Sequence, residues 1–156
     1  MTLLLQVSDP HFGTERSAAV DALVQLVHEQ RPDVLLLSGD ITQRATHTQF
    51  DSARAFVGRL QVPAILAIPG NHDIPLFNLA ARLISPYARY MHAFGRDLEP
   101  EFENDEVLVM ALNTTRRYRP MWTARCPAHR LSALYAGSNW HERRNGAWSS
   151  CIIRWP

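Results

Sequence analysis

Three short polar motifs in the first half of the chain contain residues that could bind metal ions. They are Asp9-Pro-His11, Gly39-Asp40 and Gly70-Asn-His-Asp73. Thirty-one positions separate Asp9 from Asp40, and thirty-one separate Asp40 from Asn71. Carboxylate, imidazole and amide oxygen suit Mn²⁺, Fe or Zn²⁺, and the motifs contain no cysteine for a thiolate site. An aspartate has two oxygens, so Asp40 could bridge two ions that together clamp a phosphate for hydrolysis.

Each motif follows an apolar segment that predicts a β-strand. These segments are residues 3–7, 34–38 and 64–68. Nearly continuous apolar strands are typical of a parallel sheet that is covered on both faces, so we expect all three strands to be buried. Right-handed crossovers bring the carboxyl ends of such strands to one edge of the sheet. The sequence therefore predicts that the three motifs meet at this edge.

Apolar residues recur at helical spacing in residues 15–29 and 48–60, which predicts a helix after each of the first two strands. Pro32 ends the first helix, because a proline disfavours helical geometry at the residue before it. A short helix is expected over residues 75–84. An exposed acidic segment at residues 99–106 should then lead into a strand at residues 107–112. This order of elements predicts an α/β fold.

Residues 1 to about 119 resemble the N-terminal part of the calcineurin-like metallophosphoesterases, and within that family the bacterial cyclic-nucleotide phosphodiesterases. The family pattern begins with D-x-H, G-D and G-N-H-D or G-N-H-E, and all three blocks are present here in that order. The resemblance implies a sandwich of mixed sheets flanked by helices. It also implies hydrolysis of phosphoesters, with phosphodiesters such as cyclic nucleotides as substrates, and a centre of two divalent ions (Mn, Fe or Zn).

The resemblance further implies roles for individual residues. Asp9 and His11 are expected to bind the first metal ion, Asp40 to bridge the two ions, and Asn71 to bind the second. His72 is expected to protonate the leaving group or stabilise the transition state without contacting metal. Asp73 is the second candidate catalytic residue, through orientation of His72, and capping of the following turn is the open alternative.

Two later blocks of the family pattern, a lone His and G-H-x-H, are absent from this sequence. The histidines after residue 73 are His92, His129 and His141, and none lies in a Gly-His or His-x-His context. Fewer protein ligands should weaken both the affinity and the geometry of a metal site. The alternative function is therefore a truncated metal-binding remnant with little or no catalytic turnover, and enzymatic activity of this chain is an open question.

The end of the chain differs in composition from the rest. All sixteen basic residues are Arg; eight lie in residues 1–106 beside fourteen acids, and eight lie in residues 107–156 beside the single acid Glu142. All four Trp and both Cys lie beyond Pro120. Residues 121–156 show no sustained apolar period, and residues 151–153 are their one strand candidate. We therefore divide the chain into a metallophosphoesterase-like part, residues 1–119, and an atypical tail, residues 120–156.

Three interpretations of this tail are open. The abrupt change in composition favours out-of-frame or otherwise aberrant sequence, which would be disordered and would leave the second half of the fold incomplete. A native variant ending is the second interpretation. A nucleic-acid surface is the third, since Arg and Trp suit phosphate contact and base stacking. The Arg residues are scattered over no regular element, which argues against a nucleic-acid polymer as partner.

Hydropathy and cysteine content limit the location and the partners. No apolar run approaches the length of a membrane-spanning helix. The first strand begins at residue 3, which leaves no room for a signal peptide. Two cysteines give no disulfide framework. We therefore expect a cytoplasmic protein without a membrane partner, whose main partner is a phosphoester substrate. An incomplete second sheet would leave apolar surface exposed and favour self-association.

Overall fold

The computed structural model describes residues 1–115 and the backbone of residues 150–155. In chain order the elements are β1 (Leu4–Ser8), α1 (Ser17–Gln30), β2 (Val34–Ser38), α2 (His47–Leu60), β3 (Ala64–Ala67), α3 (Leu79–Ile84), α4 (Ala88–Phe94), β4 (Glu101–Glu103), β5 (Leu108–Asn113) and β6 (Ser150–Trp155). A 3-10 turn, Asn71–Asp73, lies between β3 and α3. The strand expected at residues 151–153 is confirmed as part of β6. Residues 120–149 of the atypical tail lie outside the described residues, and their three interpretations stay predictions.

The predicted parallel sheet is confirmed. It has the order β1-β2-β3, with Leu4 opposite Val34 and Val34 opposite Ala64. The helices α1 and α2 are the connections between its strands. The larger hydrophobic core combines buried residues of α1, β2, α2 and α4, among them Val24, Val27, Leu35, Leu37, Phe50, Phe56, Leu60 and Tyr90. The apolar period of the two helices is therefore explained by one face that packs on the sheet.

Only the central strand is buried along its whole length. All five residues of β2 are buried, whereas Gln6 of β1 is exposed and Ile65 of β3 is 41% exposed. The expectation that all three strands are buried on both faces is therefore wrong for β1 and β3. The cause is their position, because each has one neighbouring strand in the described sheet and β2 has two.

A second, antiparallel sheet has the order β4-β5-β6. The acidic segment expected to be wholly exposed contains β4, in which Glu101 and Glu103 are exposed and Phe102 is half-buried. This alternation follows from the period of two in a strand. Phe102 packs against a second core cluster, composed of Val34, Leu36, Leu66, Val107 and Val109.

The two faces of β2 contact different layers. Leu35 and Leu37 belong to the core shared with the helices, whereas Val34 and Leu36 belong to the core shared with Val107 and Val109 beside and within β5. The parallel sheet therefore lies between the helices and the second sheet. This arrangement confirms the α/β sandwich that the resemblance implies.

The region after the third motif differs from the expected single helix. Helix α3 begins late, because the side chain of Asn78 caps it by accepting a 2.9 Å hydrogen bond from the Ala81 backbone. Helix α4 was not predicted; its Tyr90 is fully buried and donates a 2.6 Å hydrogen bond to the Ala67 carbonyl. Within residues 1–115, no helix is long and apolar enough to cross a membrane.

Candidate metal centre

The loops after β1, β2 and β3 meet at one edge of the parallel sheet, as predicted. The Asp9 carboxylate accepts a 2.9 Å hydrogen bond from the Asp40 backbone through Oδ1. Asp40 in turn accepts a 2.8 Å hydrogen bond from the His72 backbone through its own Oδ1. One residue from each motif is thus connected to the next. The resulting network fixes the relative positions of three loops that are far apart in the sequence.

Two glycines allow this close approach. Gly39 has a φ of +81°, and a Cβ there would collide with the Asp9 carboxylate. A Cβ on Gly70 would collide with Oδ1 and the backbone nitrogen of Asp40. A side chain at Gly39 would displace the Asp9 carboxylate, and one at Gly70 would displace the Asp40 carboxylate. The glycines of the second and third motifs are therefore required by the geometry of the loops.

The first motif has an unusual backbone. Asp9 and His11 both lie in the left-handed region, with φ of 50° and 46°. Few residues other than glycine adopt this conformation, although Asp, Asn and His do so more than most. Such residues cluster at functional sites, where the surrounding contacts hold them in place. Here the backbone of His11 is held by a 3.1 Å hydrogen bond to the Asp40 carbonyl.

The ring of His11 provides the test of whether these residues fit a metal ion. Its Nδ1 is buried and makes no hydrogen bond within the described part of the chain. A buried polar atom without a partner costs about 1–3 kcal/mol, so such atoms are rare unless they bind something else. The neutral imidazole nitrogen is a common metal ligand. His11 therefore fits a metal-binding role.

The ring of His72 lies perpendicular to that of His11, with 5.1 Å between the ring centroids. Its Nδ1 is 2.8 Å from the Gln43 carbonyl oxygen. A carbonyl can only accept, so Nδ1 must donate and carry a proton. In the neutral ring, Nε2 then has the free lone pair, and it lies 3.9 Å from Asp40 Oδ2. The Gln43 carbonyl thus determines which nitrogen of His72 is available for chemistry.

His11, Asp40 and His72 form the group that could hold a metal ion, with potential ligand atoms within 4.8 Å of one another. Two of them, His11 and Asp40, are predicted ligands, whereas His72 is predicted not to contact metal. The other predicted ligands lie on the same loops. Asp9 is exposed, and its Oδ2 accepts a 2.5 Å hydrogen bond from the Ser8 hydroxyl. Asn71 is half-buried at the start of the 3-10 turn.

Asp73 lies behind the centre and is fully buried. Its carboxylate accepts hydrogen bonds from Gly70 N (2.8 Å), Ile41 N (3.1 Å), Thr42 N (2.8 Å) and Thr42 Oγ1 (2.7 Å). Burial raises the pKa of Asp73 to about 7, against the opposing effect of the hydrogen bonds from Gly70 and Thr42. The ring of His72 is oriented by the Gln43 carbonyl instead. These contacts tie the second loop to the third, and the choice between capping of the following turn and orientation of His72 stays a prediction.

Sequence reasoning overlooked two residues that support the centre. Gln43 acts through its backbone carbonyl. Any residue at this position would offer the same carbonyl, so the sequence does not reveal the contact. Gln49 accepts a 2.8 Å hydrogen bond from the Arg44 backbone and forms a capping box with Thr46 at the start of α2. The T-x-x-Q spacing of that box was visible in the sequence and could have indicated this residue.

Comparison with known proteins agrees with this geometry. Residues 2–139 match the family described as calcineurin-like phosphoesterase, a range that extends past residue 119. A probable cyclic nucleotide phosphodiesterase of Synechococcus sp. is 35% identical over 85 residues, which cover 48% of this chain and 33% of that protein. The glycerophosphodiester phosphodiesterase GpdQ of Enterobacter lignolyticus is 34% identical over 82 residues, which cover 46% and 29%.

The matched part of this chain thus spans about a third of the length of each relative. The family match, over residues 2–139, covers most of the residues that the structure describes, including the three loops that meet at the sheet edge. By this match and by its architecture, the chain belongs to the calcineurin-like phosphoesterase family.

Proposed function

We propose that this chain hydrolyses phosphodiesters at a centre of two divalent metal ions, Mn, Fe or Zn. The observation that carries the proposal is the buried Nδ1 of His11, which has no hydrogen-bond partner among the described residues and lies in the same group as the Asp40 carboxylate. Both residues lie in the part of the chain that matches the calcineurin-like phosphoesterase family. The two relatives described above are both named as phosphodiesterases, which supports diesters over monoesters.

In this proposal Asp9 and His11 would hold the first ion, Asn71 would hold the second, and Asp40 would be a ligand of both. Bound ions of this kind neutralise phosphate charge and lower the pKa of a water molecule. The chain itself supplies carboxylates whose positions are fixed before any ion binds. Support comes from the hydrogen bonds that hold the Asp9 and Asp40 carboxylates in one orientation.

We assign His72 the role of general acid for the leaving oxygen. Because Nδ1 keeps its proton in the hydrogen bond to the Gln43 carbonyl, the acid form is the imidazolium, and the proton passed to the leaving oxygen is the one on Nε2. Asp73 acts as a positioning residue, since it holds the loop of Asp40 against the turn that carries His72. The proximity of Nε2 to Asp40 and His11 supports a second assignment, in which His72 binds metal itself.

The alternative function is a metal-binding remnant without turnover. Its support is the absence of the G-H-x-H block from residues 1–156. We also propose that the protein is cytoplasmic and self-associates. Exposed apolar side chains of α3 support self-association, among them Leu83 (53% exposed) and Ile84 (80% exposed).

Two measurements on the same protein test the proposal. Calorimetric titration with Mn²⁺ should show weak binding through the centre, and hydrolysis of bis-p-nitrophenyl phosphate should depend on added Mn²⁺. Binding without hydrolysis supports the remnant. Absence of Mn²⁺ binding at millimolar concentration contradicts both functions.

A further inference from the structure

Arg44 and Phe77 form an exposed pair beside the metal centre. The guanidinium carbon of Arg44 lies 5.6 Å from the centroid of the Phe77 ring, within the range of a cation–π contact. Phe77 is 76% exposed, so most of its ring surface contacts solvent. In residues 1–115, the guanidinium of Arg44 makes no ion pair or hydrogen bond. The contact with Phe77 is thus the one interaction that this side chain has there.

Both residues lie on loops that carry the candidate catalytic groups. Arg44 follows Gln43, whose carbonyl holds the His72 ring, and its own backbone donates a 2.8 Å hydrogen bond to Gln49. Phe77 lies five positions beyond His72 in the sequence. The backbone of Arg44 is therefore fixed relative to the candidate centre, and its guanidinium contacts the Phe77 ring.

We propose that Phe77 is a stacking platform for a planar aromatic group attached to the phosphate, and that Arg44 positions its ring. A guanidinium held near the ring restricts its rotation and leaves ring surface free to stack on a base. The positive charge of Arg44 also complements an anionic ligand. The inference rests on the proposed function, because the phosphate of such a ligand binds at the metal centre. It deepens that function by favouring phosphoesters with a planar aromatic group over aliphatic ones.

The test compares two ligands that share a phosphate and differ in the attached group. Calorimetry measures the affinity of the chain for adenosine 5′-monophosphate (AMP) and for glycerol 3-phosphate, with and without Mn²⁺. AMP should bind more tightly. Phe77→Ala should weaken AMP binding by about 10- to 100-fold, the range that one base–aromatic stack supplies, and leave glycerol 3-phosphate unchanged. Phe77→Trp should keep the preference for AMP.

Two further variants separate stacking from general effects. Leu79→Ala removes another exposed apolar side chain of the same segment, 67% exposed, and should leave the AMP preference intact. Arg44→Gln should reduce the preference, and Arg44→Lys should restore it, because lysine also forms cation–π contacts. These comparisons use the ratio of the two affinities, so a loss of charge that affects both ligands cancels.

The inference is overturned if AMP shows no preference, if Phe77→Ala weakens both ligands equally, or if Leu79→Ala matches Phe77→Ala. The proposed function is read separately, from the Mn²⁺ titration of the parent chain. If Mn²⁺ does not bind, the proposed function fails, whereas an AMP preference that Phe77→Ala removes still supports the platform.

Discussion

Asp40 receives the backbone N–H of His72 on Oδ1, at 2.8 Å, and faces the Nε2 of the same residue with Oδ2, at 3.9 Å. One carboxylate is therefore positioned by the backbone of the third motif and also lies opposite Nε2, the nitrogen of His72 that we propose as the acid. Displacement of Asp40 would move both the candidate bridging ligand and the environment of the candidate acid. This relationship makes Asp40 and His72 the pair whose substitutions are most informative.

Asp40→Asn should weaken Mn²⁺ binding by at least about tenfold, because a neutral amide replaces a charged ligand at the centre of the network. Calorimetric titration measures the change. Asp21→Asn is the matched control, since Asp21 is exposed and pairs with Arg59 on the helices. Equal Mn²⁺ affinities for Asp40→Asn and the control would show that Asp40 is not a ligand.

His72→Ala should lower phosphodiester turnover by about 10²–10⁴-fold, the usual contribution of a positioned general acid. Mn²⁺ affinity should stay near that of the parent chain if His72 acts only as an acid. Hydrolysis of bis-p-nitrophenyl phosphate and a Mn²⁺ titration are measured for each variant. If His72→Ala weakens Mn²⁺ binding as much as Asp40→Asn, then Nε2 is a metal ligand and the acid role is wrong.

Asp73→Asn should lower the free energy of unfolding by about 2 kcal/mol or more, since an amide nitrogen turns toward backbone N–H donors that then lack an acceptor. Urea unfolding followed by circular dichroism gives the value. Asp51→Asn, at an exposed position of α2, is the control for removal of a carboxylate. A variant as stable as this control would refute the capping role.

Glu106 makes stability depend on pH near the start of the chain. Hydrogen bonds from the Thr2 hydroxyl and the Met1 ammonium lower the pKa of Glu106 to about 2. Because the folded-state pKa is below the value of an unfolded glutamate, this stabilisation is present above about pH 4.3 and is lost as the pH falls toward 2. Thermal unfolding of Glu106→Gln should therefore differ from the parent chain at pH 7 and converge with it at pH 2. A constant difference at all pH values would contradict this linkage.

Much of the site followed from the sequence, because the motifs and the strands before them follow simple rules. Asp9, Asp40 and His72 each lie just after an apolar strand, and parallel strands place their carboxyl ends together. The role of Asp73 was left between two alternatives, since a carboxylate can cap or catalyse and only its surroundings distinguish the two. The orientation of His72 could not be predicted from the sequence. It is fixed by the backbone carbonyl of Gln43, and every residue has such a carbonyl.

The fold was predicted less completely where tertiary contacts override local pattern. The burial of β1 and β3 was overestimated, since an apolar run does not reveal how many neighbouring strands it has. Helix α4 was overlooked because its one buried residue, Tyr90, is held by a long-range contact. Its hydroxyl donates a hydrogen bond to the Ala67 carbonyl, and such a contact is not visible in the local sequence pattern. The strand β4 was overlooked for the same reason, because this acidic segment is extended through its pairing with β5 and not through its own apolar pattern.

Because both faces of β2 are apolar, burial alone hardly penalises a slip of this strand by one residue. Its register must be specified at its two ends. At one end, the Asp33 side chain and backbone pair with Leu3; at the other, Ser38 accepts a hydrogen bond from the Asp9 backbone. The motif that contains Asp9 therefore also helps to set the register of β1 against β2. If Asp9 holds an ion as proposed, ion binding would favour the correct alignment of the strands, and metal affinity would then be thermodynamically linked to the register of the sheet.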